Sequence, residues 1–127
     1  VLTGVHLGTW GEDLEPRLGL VDLIEMLAEN SPVPRLRLSS VDPPEITPRL
    51  LDLVKRTPAL CPHFHVPIQA GDDAVLRRMR RRYSADLARE VLQAIRSELP
   101  EAGIGTDVIA GFPGETEEEF AALRDFV

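Results

Sequence analysis

The chain has 127 residues, 43% of them hydrophobic, and 21 acidic against 14 basic side chains give it a formal net charge of −7. This hydrophobic fraction is typical of a folded domain rather than a disordered segment, and no apolar run approaches the roughly 20 residues of a membrane-spanning helix. The excess of acidic residues argues against a general nucleic-acid-binding protein but allows a local basic patch. The single cysteine excludes an intrachain disulfide, which favours a cytoplasmic setting without a membrane partner.

Four strand–helix repeats are predicted along the chain. The first strand covers residues 1–7, and a helix follows at 18–29, where leucine and isoleucine recur at helical spacing. Pro32 and Pro34 are expected to end the connection after that helix. The second strand covers 35–41, in which leucines alternate with arginine and serine, and Thr47 followed by a proline is typical of a helix start.

The second half of the chain repeats this order. The third strand covers residues 63–69 and the fourth covers 103–110. Between them, one helix should begin near Asp73, and another, capped by Ser84, should continue to about residue 98.

The alternation of strands and helices predicts a parallel sheet with right-handed crossovers. Strands buried on both faces would be almost entirely apolar, whereas the second and third strands each carry one polar face. We therefore expect an α/β fold, a partial parallel (β/α) barrel with about four βα units, whose site lies at the carboxyl ends of the strands. The side chains expected to share the inward face are Arg37, Ser39, His65 and Gln69.

A glycine-rich segment, Gly111-Phe112-Pro113-Gly114-Glu115, joins the fourth strand to the last helix. Glycines let the backbone approach a ligand closely, and the N–H groups at the following helix start could bind an anion. Thr116, with a glutamate three residues later, matches the capping box that begins a helix. The segment is equally typical of a tight strand-to-helix turn, so both interpretations stay open.

Two further polar groups lie near the third strand. Gln69, at its end, could hydrogen-bond a ribose or an amide, or simply meet solvent. Cys61, His63 and His65 occupy alternate positions and could face the same way. A zinc site normally needs three or four protein ligands in defined geometry, and Pro62 interrupts the register, so no metal ligand is assigned.

Five arginines fall within six residues of this acidic chain. A guanidinium binds two phosphate oxygens at once, and the adjacent Tyr83 could stack on a base, so the run predicts contact with an RNA backbone. A solvated helix end explains one or two such charges but not five, and an acidic partner in another domain is the alternative. The arginines are Arg77, Arg78, Arg80, Arg81 and Arg82.

Taken together, four segments resemble the radical S-adenosylmethionine (SAM) methylthiotransferases. They are VLTGVHLGTWG, RLRLSSVDPPEIT, CPHFHVPIQAGDDAVLRRMRRRYS and GTDVIAGFPGETEEEF, in this order over nearly the whole chain. They resemble the second to fifth barrel strands of that family and the turns after them. TGVHL, and RLRLSS followed by an acid and a proline, most resemble the branch that modifies threonylcarbamoyladenosine in tRNA.

The resemblance implies an enzyme that adds a methylthio group to a modified adenosine beside the anticodon, N6-threonylcarbamoyladenosine, using SAM and a 4Fe–4S cluster. The family's cluster loop carries three cysteines that are absent here, so no catalytic residue is assigned and the fragment alone is expected to be inactive. Residues 1–127 are expected to be an internal fragment of the radical SAM core, with the cluster loop and an N-terminal domain upstream, a C-terminal TRAM domain downstream, and tRNA as the partner.

Carried over residue by residue, the resemblance implies that SAM contacts Gly4, Val5, His6, Ser39, Ser40, Gln69, Ile109, Gly111 and Phe112, and that the arginine run faces tRNA. Ala70 and Asp72 stand where the family usually has serines, and Gly114 stands where the common fifth-strand pattern has an acid. Two alternatives remain. A non-catalytic RNA-binding domain would explain the arginines, and a phosphate-binding barrel enzyme of non-radical type would use residues 111–115 as an anion cradle.

Overall fold

The computed structural model describes residues 1–30 and 33–127, so the predicted break at Pro32 lies outside the described residues. The α-helices are α1 (Leu20–Asn30), α2 (Pro48–Arg56), α3 (Asp73–Arg78), α4 (Ala85–Glu98) and α5 (Glu117–Phe126). The strands are β1 (His63–His65) and β2 (Gly103–Gly105), and short 3-10 helices cover Leu7–Thr9 and Pro43–Glu45. None of the helices in the described ranges is long and apolar enough to cross a membrane.

Side-chain caps start the helices close to the predicted positions. The hydroxyl groups of Thr47 and Ser84 accept amide protons from three residues later, at 3.2 Å and 3.1 Å, where α2 and α4 begin. Thr116 and Glu119 form the predicted capping box at α5. Each such cap typically stabilises its helix by about 1 kcal/mol. The first helix, expected from residue 18, instead begins at Leu20.

β1 and β2 pair in parallel to form a two-stranded sheet. Both are shorter than the strands predicted at 63–69 and 103–110. The Val66 amide still donates to the Gly105 carbonyl at 2.8 Å, but the next amide on this edge, that of Ile68, is satisfied by the Thr106 hydroxyl at 3.3 Å instead of a backbone carbonyl. The pairing is therefore interrupted just beyond the histidines.

The strands predicted at 1–7 and 35–41 are not continuous strands in the structure. The 3-10 helix at Leu7–Thr9 ends the first extended segment early. Single parallel bridges join the extended segments instead: Leu2 with Leu38, Leu36 with Leu60, Ser40 with His65, and Gln69 with Val108. The α/β class is confirmed, whereas the part of the chain that the structure describes does not show four complete βα units.

The apolar faces predicted for the second and third segments are buried. Leu38, Phe64 and Val66 are 5%, 2% and 0% exposed, and they belong to one cluster with apolar side chains of α1, α2 and α4. Burial of a large apolar side chain stabilises the fold by about 1.5–3 kcal/mol. A smaller cluster surrounds Val75 and Leu76 of α3, the helix in which the arginine run begins.

Gly71 lies against the backbone of α5. A Cβ atom at this position would be 2.5 Å from the Leu123 Cα and 2.8 Å from the Ala122 carbonyl oxygen. Carbon atoms pack at about 3.5–4.0 Å, so only a residue without Cβ allows this approach. The third extended segment and the last helix are thereby held together at the end of the sheet.

Candidate functional site

A cleft of about 850 Å³ lies where the first two extended segments end. Its walls come from three places: the turn after the first segment, the turn after the second, and the loop that follows α3. Residues that line it are Gly4, Val5, His6, Gly8, Thr9, Glu12, Ser40, Asp42, Pro44, Glu45, Arg80, Arg81, Arg82 and Tyr83. The cleft therefore joins four of the predicted cofactor-binding residues to three of the predicted RNA-binding arginines.

The acidic part of this cleft is centred on Glu45. Its carboxylate contacts the His6 Nε2 and accepts the Asp42 amide at 3.2 Å, which completes a capping box on the 3-10 helix. A Cβ at Gly8 would overlap the same carboxylate, so glycine is required there while Glu45 keeps this position. The sequence contains a signal for this turn, because an acid, Glu45, follows three residues after Asp42. The position of Glu45 in the cleft was not predicted.

His6, Asp42 and Glu45 each offer a ligand atom within 4.8 Å of the others. One imidazole and two carboxylates form a donor set that zinc or a related divalent cation accepts. Exposed acidic groups also come together without any ion, and Arg81 already contacts Asp42 at 3.5 Å. Within the described residues, His6, Asp42 and Glu45 form the group of possible metal ligands. Cys61, His63 and His65, which alternate in the sequence, do not form such a group.

The loop after α3 turns sharply at Arg80, whose φ of +58° lies in the left-handed region. The Arg80 amide donates to the Arg77 carbonyl at 3.0 Å and the Arg81 amide to the Leu76 carbonyl at 2.9 Å, a pairing typical of a helix carboxyl terminus. The Tyr83 hydroxyl donates to the Pro67 carbonyl at 3.1 Å, and burial raises the pKa of Tyr83 to about 12. Tyr83 is thus a neutral phenol tied to the third segment.

Arg78 differs from the cleft arginines because it joins two helices. Its guanidinium donates to both Glu119 oxygens, at 3.0 Å and 2.7 Å, and so links α3 to α5. The same pairing, with the Thr116 amide, lowers the pKa of Glu119 to about 2. Arg78 therefore has an acidic partner within the chain, which is neither the predicted RNA contact nor the alternative of an acidic partner in another domain.

A smaller cleft, of about 410 Å³, is lined by Val1, Arg37, Leu38, Ser39, Ser40 and His65. Ser40 Oγ is 2.8 Å from His65 Nδ1, and His65 Nε2 is 3.4 Å from an Asp107 carboxylate oxygen. Arg37 donates to His63 Nε2 at 3.1 Å. Three of the four side chains predicted to share a face, Arg37, Ser39 and His65, thus line one surface.

The environment of His63 disfavours its protonated form. Burial lowers the pKa of His63 below its ordinary value of 6.5, and the neighbouring positive charge of Arg37 lowers it further. Because the Nε2 atom accepts from Arg37, the neutral tautomer carries its proton on Nδ1, a buried atom with no hydrogen-bond partner in the described part of the chain. His63 therefore contributes a fixed neutral acceptor rather than a charge.

The remaining predicted cofactor residues lie around the fourth segment. Gln69 has a φ of +66°, and its carbonyl accepts the Ile109 amide at 2.8 Å. In the glycine-rich turn, the Glu115 carboxylate accepts from the amides of Gly111 and Phe112, the latter at 3.2 Å. Two N–H groups of the segment expected to cradle an anion are thus already bonded to Glu115, which favours the tight-turn interpretation.

Comparison with known proteins identifies the family. Residues 4–127 match the model of the Radical SAM superfamily. The chain is 40% identical over 126 residues to the tRNA-2-methylthio-N(6)-dimethylallyladenosine synthase of Dictyoglomus thermophilum, covering 97% of this chain and 28% of that protein. It is 39% identical over 127 residues to the threonylcarbamoyladenosine tRNA methylthiotransferase MtaB of Bacillus subtilis, covering 100% of this chain and 28% of that protein.

A second MtaB relative, from Thermotoga maritima, is 38% identical over 127 residues and is covered over 29% of its length. The chain thus spans between a quarter and a third of the length of these relatives, which are named as threonylcarbamoyladenosine tRNA methylthiotransferases or as a tRNA-2-methylthio-N(6)-dimethylallyladenosine synthase. The family match extends over nearly every residue described above, including the cleft and the glycine-rich turn. The chain therefore belongs to the radical SAM superfamily.

Proposed function

We propose that this chain is part of the core domain of a tRNA methylthiotransferase that modifies N6-threonylcarbamoyladenosine beside the anticodon. The observation that carries the proposal is the similarity of the whole chain to tRNA-modifying relatives at 38–40% identity. The protein would work on tRNA in the cytoplasm, together with further domains of the same polypeptide.

The proposed core is a partial parallel (β/α) barrel with four βα units. In support, four single bridges, all parallel, link the first extended segment to the second, the second to the third, and the third to the fourth. The cleft lies at the ends of the first two segments, where barrel enzymes place their sites. Helices α1, α2 and α4 cover the apolar side of these segments.

The residues present suit SAM but not a cluster. Carboxylates of Asp42 and Glu45 can bind the cationic amino group of a methionine moiety, and the backbone at Gly4 and Val5 is exposed beside them. A 4Fe–4S cluster needs three or four thiolates, whereas the chain has one cysteine, Cys61, so the cluster ligands must come from elsewhere in the protein. When both are bound, they supply one-electron chemistry that can break a C–H bond.

The choice of threonylcarbamoyladenosine over dimethylallyladenosine is supported by the residues around the cleft. TGVHL and the Asp42-Pro43 pair resemble the threonylcarbamoyl branch, and these segments form two of the cleft walls. The third wall carries arginines and is charged rather than apolar. The arginine run also supports binding to tRNA phosphates in a chain whose net charge of −7 would otherwise repel RNA.

The test uses the full-length protein after anaerobic reconstitution with iron and sulfide. It is incubated with SAM, a reductant and two tRNAs, one carrying N6-threonylcarbamoyladenosine and the other dimethylallyladenosine, and the nucleosides are analysed by mass spectrometry. We expect a methylthio product from the first tRNA. Product from neither tRNA would refute the methylthiotransferase proposal, and product from only the second would refute the choice of substrate.

A second experiment tests the RNA role of the arginine run. Replacing Arg77 and Arg82 with glutamine should weaken tRNA binding and reduce the slope of log affinity against log salt by about 0.7–0.9 for each phosphate that the variant no longer binds. Arg124→Gln, an exposed arginine of α5, is the matched control. An unchanged slope in the double variant would remove the RNA role.

A further inference from the structure

Arg78 lies next to two parts of the proposed cofactor site. It is the last residue of α3, and the loop that lines the large cleft begins two residues later, at Arg80. On the other side, a Cβ atom at Gly114 of the glycine-rich turn would be 4.0 Å from the Arg78 Nε atom. Arg78 therefore adjoins the cleft loop along the chain and the glycine-rich turn in space.

The pairing between Arg78 and Glu119 uses both oxygens of the carboxylate. Nη1 donates to Oε1 at 3.0 Å and Nη2 donates to Oε2 at 2.7 Å, the two-point arrangement that suits a planar guanidinium. The Glu119 side chain is only 15% exposed, and its Oε2 atom also accepts the Thr116 amide at 2.9 Å. One carboxylate thus fixes the start of α5 and attaches that start to α3.

The glycine-rich turn itself is held by a different acid. Glu115 accepts from the amides of Gly111 and Phe112, and the cap of α5 follows directly after it. Phe112 also packs against the smaller apolar cluster, which is centred on α3. The internal shape of the turn therefore depends on Glu115, whereas its place relative to α3 depends on the packing of Phe112 and on the pair formed by Arg78 and Glu119.

The surroundings of Arg78 are acidic. The hydrogen bonds to Glu119, and the nearby negative charges of Asp72 and Glu115, raise the pKa of Arg78. Isolated surface ion pairs contribute little, whereas two-point arginine–carboxylate pairs within a network of charges are the exception. The charge of Arg78 is thus engaged inside the chain, which makes this residue a poor site for an RNA phosphate.

We propose that Arg78 is a positioning residue, which sets the distance between the cleft and the glycine-rich turn through its pair with Glu119. The inference rests on the proposed function, because the residues proposed to bind SAM fall into these two places, with Gly4 in the cleft and Phe112 in the turn among them. A ligand that reaches both places binds most tightly when their spacing matches its own length, as for any two linked binding sites.

The test compares SAM with 5′-methylthioadenosine on the full-length reconstituted protein. The second compound is the nucleoside half of SAM without the amino-acid end, so it cannot reach both places at once. Isothermal titration calorimetry without a reductant gives each dissociation constant, and no turnover is needed. In Arg78→Gln, SAM should bind about tenfold more weakly while 5′-methylthioadenosine changes by less than about twofold, because the turn keeps its own shape.

Further variants separate positioning from a general loss of stability, since the ratio of the two dissociation constants does not depend on how much protein is folded. Arg78→Lys keeps the charge but cannot form two parallel bonds, so it should recover only part of the SAM affinity. Glu119→Gln should weaken SAM binding as Arg78→Gln does, and the double variant should be no weaker than either single variant, because the two residues act as one unit. Arg124→Gln removes an exposed arginine from α5 and is the control, which should bind both ligands as wild type does.

The other outcomes would overturn the inference. Equal weakening of SAM and 5′-methylthioadenosine would mean that the pair holds the turn itself, and unchanged binding of both would mean that the spacing does not depend on it. Additive losses in the double variant would show that Arg78 and Glu119 act separately. A tRNA salt slope reduced by about 0.7–0.9 in Arg78→Gln, with SAM affinity kept, would assign Arg78 to an RNA phosphate. Absence of any methylthio product from wild type would refute the proposed function, while the binding ratio would still decide the role of Arg78.

Discussion

Replacing Gly71 with alanine should force the last helix away from the third extended segment. The added Cβ would lie 2.5 Å from the Leu123 Cα and 2.8 Å from both the Leu123 amide nitrogen and the Ala122 carbonyl oxygen. All three are backbone atoms, so no side-chain rotation relieves the overlap. Because carbon atoms pack at about 3.5–4.0 Å, α5 would have to move by about 1 Å.

Such a movement affects the interactions that hold α5. Leu123 is 3% exposed and would pack less closely, and the Arg78–Glu119 hydrogen bonds of 3.0 Å and 2.7 Å would lengthen. Overpacking of this kind usually costs about 1–3 kcal/mol, which is the expected decrease in the free energy of unfolding for Gly71→Ala. The measurement is urea unfolding followed by circular dichroism, with a lower midpoint and an unchanged slope.

Gly19→Ala is the matched control. A Cβ at Gly19 would meet only an Asp22 oxygen at 3.7 Å, an ordinary contact, so this variant should change little or gain up to about 1 kcal/mol. If Gly71→Ala were as stable as wild type to within about 0.5 kcal/mol, the close packing of α5 on this segment would be refuted.

Three further predictions concern charge and cysteine chemistry. Arg78 lowers the pKa of Glu119 from 4.5 to about 2. Ionised Glu119 therefore stabilises the fold fully above pH 4.5, and this stabilisation is lost as the pH falls toward 2. In Glu119→Gln, the free energy of unfolding should depend less on pH over that range. Burial and then Arg37 lower the pKa of His63 below 6.5, so stability should fall as the pH drops below 6.5 in wild type and less so in His63→Gln, measured by melting temperature. Reconstitution of this chain alone should give no 4Fe–4S absorbance, with or without Cys61→Ser, and a stoichiometric cluster would contradict the assignment of its ligands elsewhere.

Local signals in the sequence were sufficient for most helices. Thr47, Ser84 and Thr116 cap their helices through hydrogen bonds within three residues, so the relevant physics lies inside a short window. The alternation of Leu38, Phe64 and Val66 with polar residues likewise predicted which side chains are buried. The family resemblance also came from short segments in a fixed order, and the match over residues 4–127 confirmed it.

The continuity of the strands could not be predicted from local signals in the sequence. Whether an extended segment becomes a strand depends on a partner distant in sequence. Here the bond from the Ile68 amide to the Thr106 hydroxyl and the turn at Leu7–Thr9 limit the pairing to short stretches. The sequence showed residues with strand character, but the structure decided that most of them would pair only through single bridges.

The composition of the cleft was decided by tertiary structure. The arginine run was visible in the sequence as one charged patch, yet the fold divides it, because Arg78 pairs with Glu119 of α5 while Arg80, Arg81 and Arg82 line the cleft. The glycine-rich turn has the residues of an anion cradle, but in the fold Glu115 accepts its amides. Sequence determined the residue types, the helix caps and the family, whereas the partners of each charge depend on chain segments brought together only by folding, and those partners decide which charges remain available to a ligand.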